Sequence, residues 1–537
     1  MVKELIKKII PPFLLSWYHF KLAFLGAVLY GFPARKMKVI GITGTNGKST
    51  TAEMIAKILE EAGYKVALLD SIRFKIGEQE QPNLLKMTMP GRFQIQRFLR
   101  KAADSGCQYA VLEVTSEGIK QHRHRFIAFE AVVFTNLSPE HIEAHGSFEN
   151  YRAAKGKLFK SAKNIHIINL DDENSDYFLK FSARKKYTYG WAKGDINDGK
   201  INLHLSLAGD FNVYNALAAI GVGVSQGIDL ATCKRAVEGI REIPGRMEKV
   251  IAEPFRAFVD YAFTPNALEK VYQTIKTNLQ PRKMICVLGA CGGGRDKWKR
   301  PVLGKLAARY CDEIIVTNED PYDENPMEII EQVAKGTLGK AKKILDRREA
   351  ISNSLKSAKP GDAIIITGKG CEPWIIEKGK KIPWDDRRVV KEEMGKLEHN
   401  GDVEYEILEH KADLKIRVFG ETKEKLFLNA LLGMQESMKY QIQVPREKTS
   451  RKVKIKSPDL AALLVDFLNE ALYLIQTNKE IYDEARFIKF TATQINAGLF
   501  GQKVERFGED IKAVTYHESG VRQKEDGGWE ATLLFDV

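Results

Sequence analysis

One stretch limits the fold of this chain more than any other: VIGITGTNGKSTTAEMIAKIL, residues 39–59. Its first residues form a short continuous apolar run ending in a glycine-rich turn. After the turn, Ala52, Ile55, Ile58, Leu59 and Ala62 recur at helical spacing until Gly63, a stop signal. VALLD, residues 66–70, then reads as a second strand. Strand, glycine turn, helix and strand together begin a parallel α/β sheet, which needs helices on its faces. YAVLEV (109–114), AVVFTNL (131–137) and NIHIINL (164–170) supply further strand candidates. The turn resembles a phosphate-binding loop, but its spacing differs from the usual one. Gly44 lies too close to Gly47, and Gly41 one residue too far. In such a loop the backbone amides of Gly44, Thr45, Asn46 and Gly47 face an anion. Lys48 would hold phosphate oxygens, and Ser49 or Thr50 a Mg²⁺ ion.

The rest of the chain is organised around this unit. At 537 residues it is too long for one typical domain. A short apolar leader covers 1–36, and the first α/β block covers 37–244. A second block, 245–395, has strand candidates at 255–261, 284–290, 313–317 and 363–367. Residues 396–401, within the charged, glycine-marked stretch 391–402, read as a linker. Beyond it, EYEILEHKADLKIRVFG (404–420) partly alternates like a strand, two strong helices follow, and WEATLLFDV closes the chain as a strand. This last part, 402–537, reads as an α+β domain.

Within the leader, IIPPFLLSWYHFKLAFLGAVLYGFPARK (9–36) has no evident small-residue cleavage site. Pro11, Pro12, His19 and Lys21 disfavour a spanning helix. A helix packed on the next domain and a weak contact with a membrane surface are the two readings left. Six cysteines without a C-x-x-C pair argue against a zinc site or a disulfide framework, and for a reducing cytoplasm. The net charge of +13 suits an acidic partner such as a nucleotide or RNA, and suits a lysine-rich solvated surface equally well.

Eight motifs in order carry a resemblance. They are GITGTNGKST (41–50), LEVTSEG (112–118), VFTNLSPEHIEAHGSFENYRAAKGKLF (133–159), GDFNVYNALAA (209–219), IPGRMEKV (243–250), FVDYAFTPNAL (258–268), GACGGGRDKWKRP (289–301) and ITGKGCEPW (366–374). Together they resemble the Mur ligases over about 37–395, most closely the branch that adds the third residue of the peptidoglycan stem peptide. In that family the shortened phosphate loop is the normal one. The resemblance implies a P-loop-type central parallel-sheet domain followed by a Rossmann-like ligase domain. It also implies an ATP-dependent, ADP-forming amide synthesis through an acyl phosphate, on a cell-wall precursor carboxylate and an amino acid. Lys48, Glu113, His141 and Lys155 match its catalytic positions, with Ser49, Glu113, His141 and a carbamylated Lys155 holding Mg²⁺. Asn212, Asn215, Arg246 and Asp260 match positions around the nucleotide. Thr88, Thr115, Ser116, Arg295, Asp296, Lys297, Glu319, Asp320, Lys369 and Glu372 match the substrate side.

The chain departs from the pattern in three places. Fewer than 45 residues precede the loop, where the family carries a UDP-binding domain, so UDP-muramyl recognition would need another surface. Phe263 stands in place of a histidine. Glu319-Asp320-Pro321-Tyr322 replaces the D-N-P-R signature for diaminopimelate, leaving an acidic cluster that would suit a cationic side chain.

The C-terminal part resembles archease through 404–420, LVDFLNEALYL (464–474), DIKAVTYHE (510–518) and GGWEATLLFDV (527–537). That resemblance implies an activator of an RNA ligase in tRNA splicing. Asp413 and Asp536 would bind Ca²⁺ or Mg²⁺, and Lys512 would be functional. Two other readings stand beside the leading one. One is a ligase of the folylpolyglutamate or amino-acid-polymer type; the other is a non-catalytic RNA-ligase accessory protein.

Overall fold

The structure is a computed structural model that describes residues 11–85, 87–399, 404–408, 414–442, 447–524 and 527–537. The chain divides into two compact units, Met1–Met394 and Gly395–Val537.

The first unit holds two sheets. The larger has nine strands: β1 Lys38–Thr43, β2 Val66–Leu69, β3 Arg73–Ile76, β4 Gln79–Pro82, β5 Tyr109–Glu113, β6 Phe129–Phe134, β7 Ile165–Asn169, β8 Lys185–Gly190 and β9 Ile196–Asn197. Their order is β4-β3-β2-β5-β1-β6-β7-β8-β9. All neighbours run parallel except β2–β3 and β3–β4, a hairpin that the sequence reading missed. Successive residues of a strand point to opposite faces, so one strand feeds two cores. Ile40 and Ile42 of β1 join the core beneath helices Lys48–Glu61 and Asp210–Ser225. Val39 joins the opposite core, beneath helices Arg92–Asp104 and Phe148–Ser161. Burial on both faces explains why these strands read as continuous apolar runs.

Because β1 lies between β5 and β6, the chain leaves its neighbouring strands on both sides here. The crevice beyond their C-terminal ends is the usual ligand position in such sheets. The phosphate-loop candidate occupies that place.

The second sheet contains β10 Glu248–Ile251, β11 Arg256–Asp260, β12 Met284–Leu288, β13 Glu313–Thr317, β14 Ala341–Ile344 and β15 Ala363–Thr367, in the order β10-β11-β15-β12-β13-β14. Only β10 is antiparallel. A small ribbon, β16 Trp374–Glu377 with β17 Lys380–Pro383, follows.

The leader forms the helix Pro12–Leu29, packed on helix Arg92–Asp104. Its glycine Gly26 approaches the partner so closely that an added Cβ would touch Arg92 O, Gln96 Cγ and Phe93 Cα at 3.7 Å. The charged stretch expected as a linker differs from expectation: it lies largely within helix Asp386–His399. Charge and a single Gly395 there suggested a break, but Val389 and Val390 are buried and anchor the helix.

In the second unit, 404–420 is not one strand. It forms β18 Glu404–Leu408 and β19 Leu414–Gly420, paired antiparallel. β19 pairs next with β25 Trp529–Asp536, and β25 with β24 Ala513–Gln523. A further sheet joins β20 Gln441–Ile442, β21 Lys448–Lys456, β22 Glu480–Phe490 and β23 Gln494–Arg506. Helices Lys423–Ser437 and Leu460–Asn478 close the core. The latter is long and apolar enough to cross a membrane, yet Leu463, Leu464, Phe467, Leu468 and Leu472 are buried in this core.

Candidate active site

The loop after β1 is shaped by two glycines. Gly44 sits at φ +154° against Thr135, and Gly47 at φ +79° against Asn215, so a side chain at either would be both strained and obstructed. Gly47 caps helix Lys48–Glu61, whose positive N-terminal end therefore faces the cavity. Lys48 folds back with Nζ donating to Thr45 O at 2.8 Å, and lies 3.6 Å from Glu113 Oε1. Ser49 Oγ donates to Glu113 Oε2 at 2.8 Å. Glu113 is the last residue of β5, which the parallel register sets beside β1.

A cavity of about 690 Å³ opens here. Gly44, Thr45, Asn46, Gly47, Lys48, Ser49 and Thr50 line it at the loop. Glu113, His141 and Lys155 line it beside them. Asn215, Arg246 and Asp260 border it too, as do Thr88, Thr115, Ser116 and Arg295. Thus residues as far apart in the chain as Gly44 and Arg295 meet around one space.

The electrostatics are unusual. Lys155 is 1% exposed, and its Nζ donates to Gly44 O at 2.7 Å. Burial, reinforced by Lys48, holds its pKa well below the normal lysine range. His141 is depressed to about 2, by burial and then by Arg295, Lys155, Lys299 and Lys48. Its imidazole is therefore neutral at physiological pH and able to act as a ligand. Arg246 reaches across with Nη2 donating to Ser49 Oγ at 3.2 Å and Ser71 Oγ at 3.1 Å.

The remaining positions play other parts. Asn212 does not line the cavity; it accepts from Asn215 Nδ2 at 3.1 Å and stands behind it. Asp260 accepts from the backbone amides of Met247 and Ala262, both at 2.6 Å, so much of its capacity fixes the turn. Asp296 accepts from the amides of Ile142 and Glu143 and ties the glycine-rich turn after β12 to the His141 segment. Lys297 pairs with Glu324 at 3.3 Å. Neither Asp296 nor Lys297 lines the cavity.

A smaller cavity is lined by Arg295, Lys299, Cys291, Glu319, Asp320 and Glu372, with Tyr261, Phe263 and Gly368. Lys369 is wholly buried, with Nζ donating to Asp320 at 3.0 Å and Glu372 at 2.6 Å. Burial opposes its charge, but Glu372 and Asp320 outweigh it and raise its pKa. The acidic cluster is consequently not an open surface awaiting a cationic side chain, because Lys369 already holds Asp320 and Glu372. Glu324 likewise pairs with Arg300 and Lys297. In the second unit, Lys512 Nζ lies 3.9 Å from Asp536 Oδ1 on the surface, and Asp413 lies outside the described residues.

Of the cavity residues that the sequence reading did not single out, two bear directly on the site. Ser71 bonds Ser49 Oγ at 2.7 Å. Glu140, 2% exposed, pairs with Lys299 at 3.0 Å and keeps its other oxygen, Oε2, without a hydrogen-bond partner. Ser71 had one available signal: it closely follows a parallel strand.

The fold and this cavity define a phosphate-loop ligase, in which a nucleotide-binding sheet and a second α/β sheet close over one space. Residues 42–223 match the Mur ligase middle domain and 245–370 the Mur ligase, glutamate ligase domain. A UDP-N-acetylmuramoyl-L-alanyl-D-glutamate–2,6-diaminopimelate ligase of Aquifex aeolicus is 40% identical, over 68% of this chain and 79% of its own. The corresponding enzyme of Syntrophomonas wolfei subsp. wolfei is 37% identical over 69% of this chain and 81% of its own. A UDP-N-acetylmuramyl-tripeptide synthetase of Roseiflexus sp. is 35% identical over 71% and 83%. The chain belongs to the Mur ligase family and is an ATP-dependent, ADP-forming amide ligase. Residues 405–537 form an archease domain. The fold is shared further with folylpolyglutamate synthase of Mycobacterium tuberculosis, at a TM-score of 0.55 and 17% identity, over 65% of this chain and 92% of that one.

Proposed function

We propose that this chain joins a diamino acid of the diaminopimelate type to a carboxylate of a peptidoglycan precursor. The carrying observation is that Lys48, Ser49, Glu113, His141 and a buried, uncharged-leaning Lys155 converge on one cavity, which continues towards Arg295. ATP's phosphates lie along the loop amides and Lys48, with Arg246 and Asn215 beside the nucleotide. The γ-phosphoryl group passes to the substrate carboxylate, forming an acyl phosphate and ADP. The incoming amine, losing a proton, attacks the acyl carbon, and phosphate leaves to give the amide. Two anions must approach for the first step, so cations around the carboxylate lower its barrier.

The residues present fit a Mg²⁺ ion: a hydroxyl, carboxylates and one neutral imidazole are suitable donors for a hard cation. Ser49, Glu113 and His141 would hold it, with Lys155 as a fourth ligand once carbamylated. A low-pKa amine favours that modification, since neutral nitrogen adds to CO₂ and releases a proton. The ion would neutralise phosphate charge.

Arg295, which lines both cavities, offers a cation to an amino-acid carboxylate, and Glu319 Oε2, which has no hydrogen-bond partner, offers an acceptor to an ammonium. ADP release and product mass test the reading with purified protein. The assay pairs UDP-muramyl dipeptide or its non-UDP analogues with diaminopimelate, lysine or ornithine. Turnover should require one of the muramyl substrates and be fastest with diaminopimelate. Turnover only with a folate and glutamate would replace this reading with the polyglutamylating one.

For the archease domain we infer activation of an RNA ligase through Lys512 and Asp536. Guanylylation of the ligase with and without the domain, with Ca²⁺ or Mg²⁺, tests it; equal rates would count against it.

A further inference from the structure

Helix Pro12–Leu29 is packed the wrong way round for a helix of a water-exposed surface. Its small residues face the protein: Ala23 is 2% exposed and Ala27 fully buried, with Gly26 against helix Arg92–Asp104. Its large apolar residues face outwards. Phe13 is 70% exposed, Trp17 57% and Leu29 66%, and Leu14, Tyr18, Phe24, Leu25 and Val28 are also exposed. A helix apolar all round is normally enclosed on every side, by core or by lipid. Among the described residues, this one is enclosed on one side only.

The charges nearest to it along the chain have one sign. No Asp or Glu occurs between Glu4 and Glu53, whereas Lys7, Lys8, Lys21, Arg35, Lys36 and Lys38 do. Lys21, Arg35 and Lys36 are exposed, and Lys21 Nζ stands 3.5 Å from the centre of the Trp17 ring. Trp and Tyr beside aliphatic residues, with cations at the edges, match the interfacial layer of a bilayer. A second copy of the same face would bring like charges together, which disfavours self-association as the occupant.

We propose that this helix lies flat on an anionic phospholipid surface, with Trp17, Phe24 and Leu25 among the apolar contacts and Arg35 and Lys36 among the headgroup contacts. It lies on the membrane and does not cross it, because its small-residue side is already occupied by a helix bearing Arg92, Arg97, Arg100 and Lys101. The docking side adjoins the substrate end of the large cavity. Ser16 Oγ bonds His122 Nε2 at 2.8 Å, and the neighbours of His122, Gln121 and Arg123, line that cavity. Arg123 in turn donates to Met89 O. The inference rests on the helix and its charges, and does not depend on which substrate the ligase uses.

Flotation of the full chain with phosphatidylcholine vesicles, with and without phosphatidylglycerol, tests it. Binding should need phosphatidylglycerol and weaken as salt rises. W17S/F24S/L25S should reduce binding at least ~10-fold, and R35Q/K36Q about 5-fold for each cation removed. Both variants should keep the wild-type rate of ADP release with soluble substrates, which also shows that they fold. In the unaltered protein, brominated phosphatidylglycerol should quench fluorescence, and W17F should lose most of that quenching. Failure to float, or equal flotation by wild type and W17S/F24S/L25S, would overturn the proposal. So would a dimer in sedimentation that this triple variant converts to monomer, since a second copy would then cover the face.

Discussion

Lys155 shows how little a residue's identity says about its chemistry. On the helix surface that its sequence suggests, it would be an ordinary cation; buried and within 2.7 Å of Gly44 O, it is driven towards the neutral amine. Lys155→Ala should lower ADP release ~100-fold or more, with Tm unchanged or raised, because a costly buried amine is removed. Lys48→Ala should have a similar kinetic effect and little effect on Tm, since Lys48 is partly exposed and its contact with Glu113 is long. Turnover assays and thermal scans check both. His124 provides a pH prediction. It is 3% exposed, neither ring nitrogen has a hydrogen-bond partner, and burial followed by Arg125, His122 and Lys157 lowers its pKa from 6.5 to about 3. Between those values the unfolded chain holds a proton that the folded chain does not. Stability should therefore fall as pH drops below 6.5, by about 1.4 kcal/mol per pH unit from this group. His124→Leu should flatten the curve by that amount in denaturant titrations across pH. Lys48, Ser49 and Glu113 were legible because they sit in contiguous motifs. Ser71 was not, because it lies outside those motifs and strand order brings it to the cavity; Glu140 lies in the motif 133–159 beside His141, but only the fold buries it against Lys299.

At the scale of elements, the strands buried on both faces were the easiest to read, since apolar runs bounded by turns leave few alternatives. Exposed or short elements were harder. β3 and β4, with Arg73 paired to Glu53 and Glu80, carry a polar pattern that looks like a loop. The stretch 391–402 looked like a linker because it is charged; much of it lies in helix Asp386–His399, whose Val389, Val390 and Met394 are buried. Close helix contacts depend on single glycines. A Cβ on Gly304, in helix Lys299–Tyr310, would run into Val333 O and lie 3.1 Å from Gly336 Cα. Alanine would gain about 1 kcal/mol in helix propensity, but backbone cannot yield as a side chain tip can. Gly304→Ala should thus be destabilising by ~1–3 kcal/mol, measurable as a lower urea midpoint.

At the scale of the molecule, the two units own separate cores. The described residues of the core of the second unit run from Ile416 to Phe535. A chain ending at His399, after the shared-boundary helix, should keep ATP turnover within about twofold if the ligase unit is self-sufficient. Calorimetry of the full chain should show two transitions, one retained in the shortened chain. A single transition lost as a whole on shortening would show that the units fold together.

The sequence by itself determined the family, the phosphate loop and the α/β order, because local periodicity and contiguous motifs encode them without reference to distant residues. It also singled out lysines and carboxylates as candidates for the chemistry. Tertiary structure alone decided which of them are charged, which are already paired and which face outwards. Burial pushes Lys155 towards the neutral amine and keeps His141 neutral, Lys369 already pairs Asp320 and Glu372, and the leader helix turns its small residues inwards. For the leader, the apolar run was legible in the sequence, but which of its faces is packed and which exposed was decided by the fold. Desolvation and pairing depend on what the fold brings near, and sequence proximity does not report it.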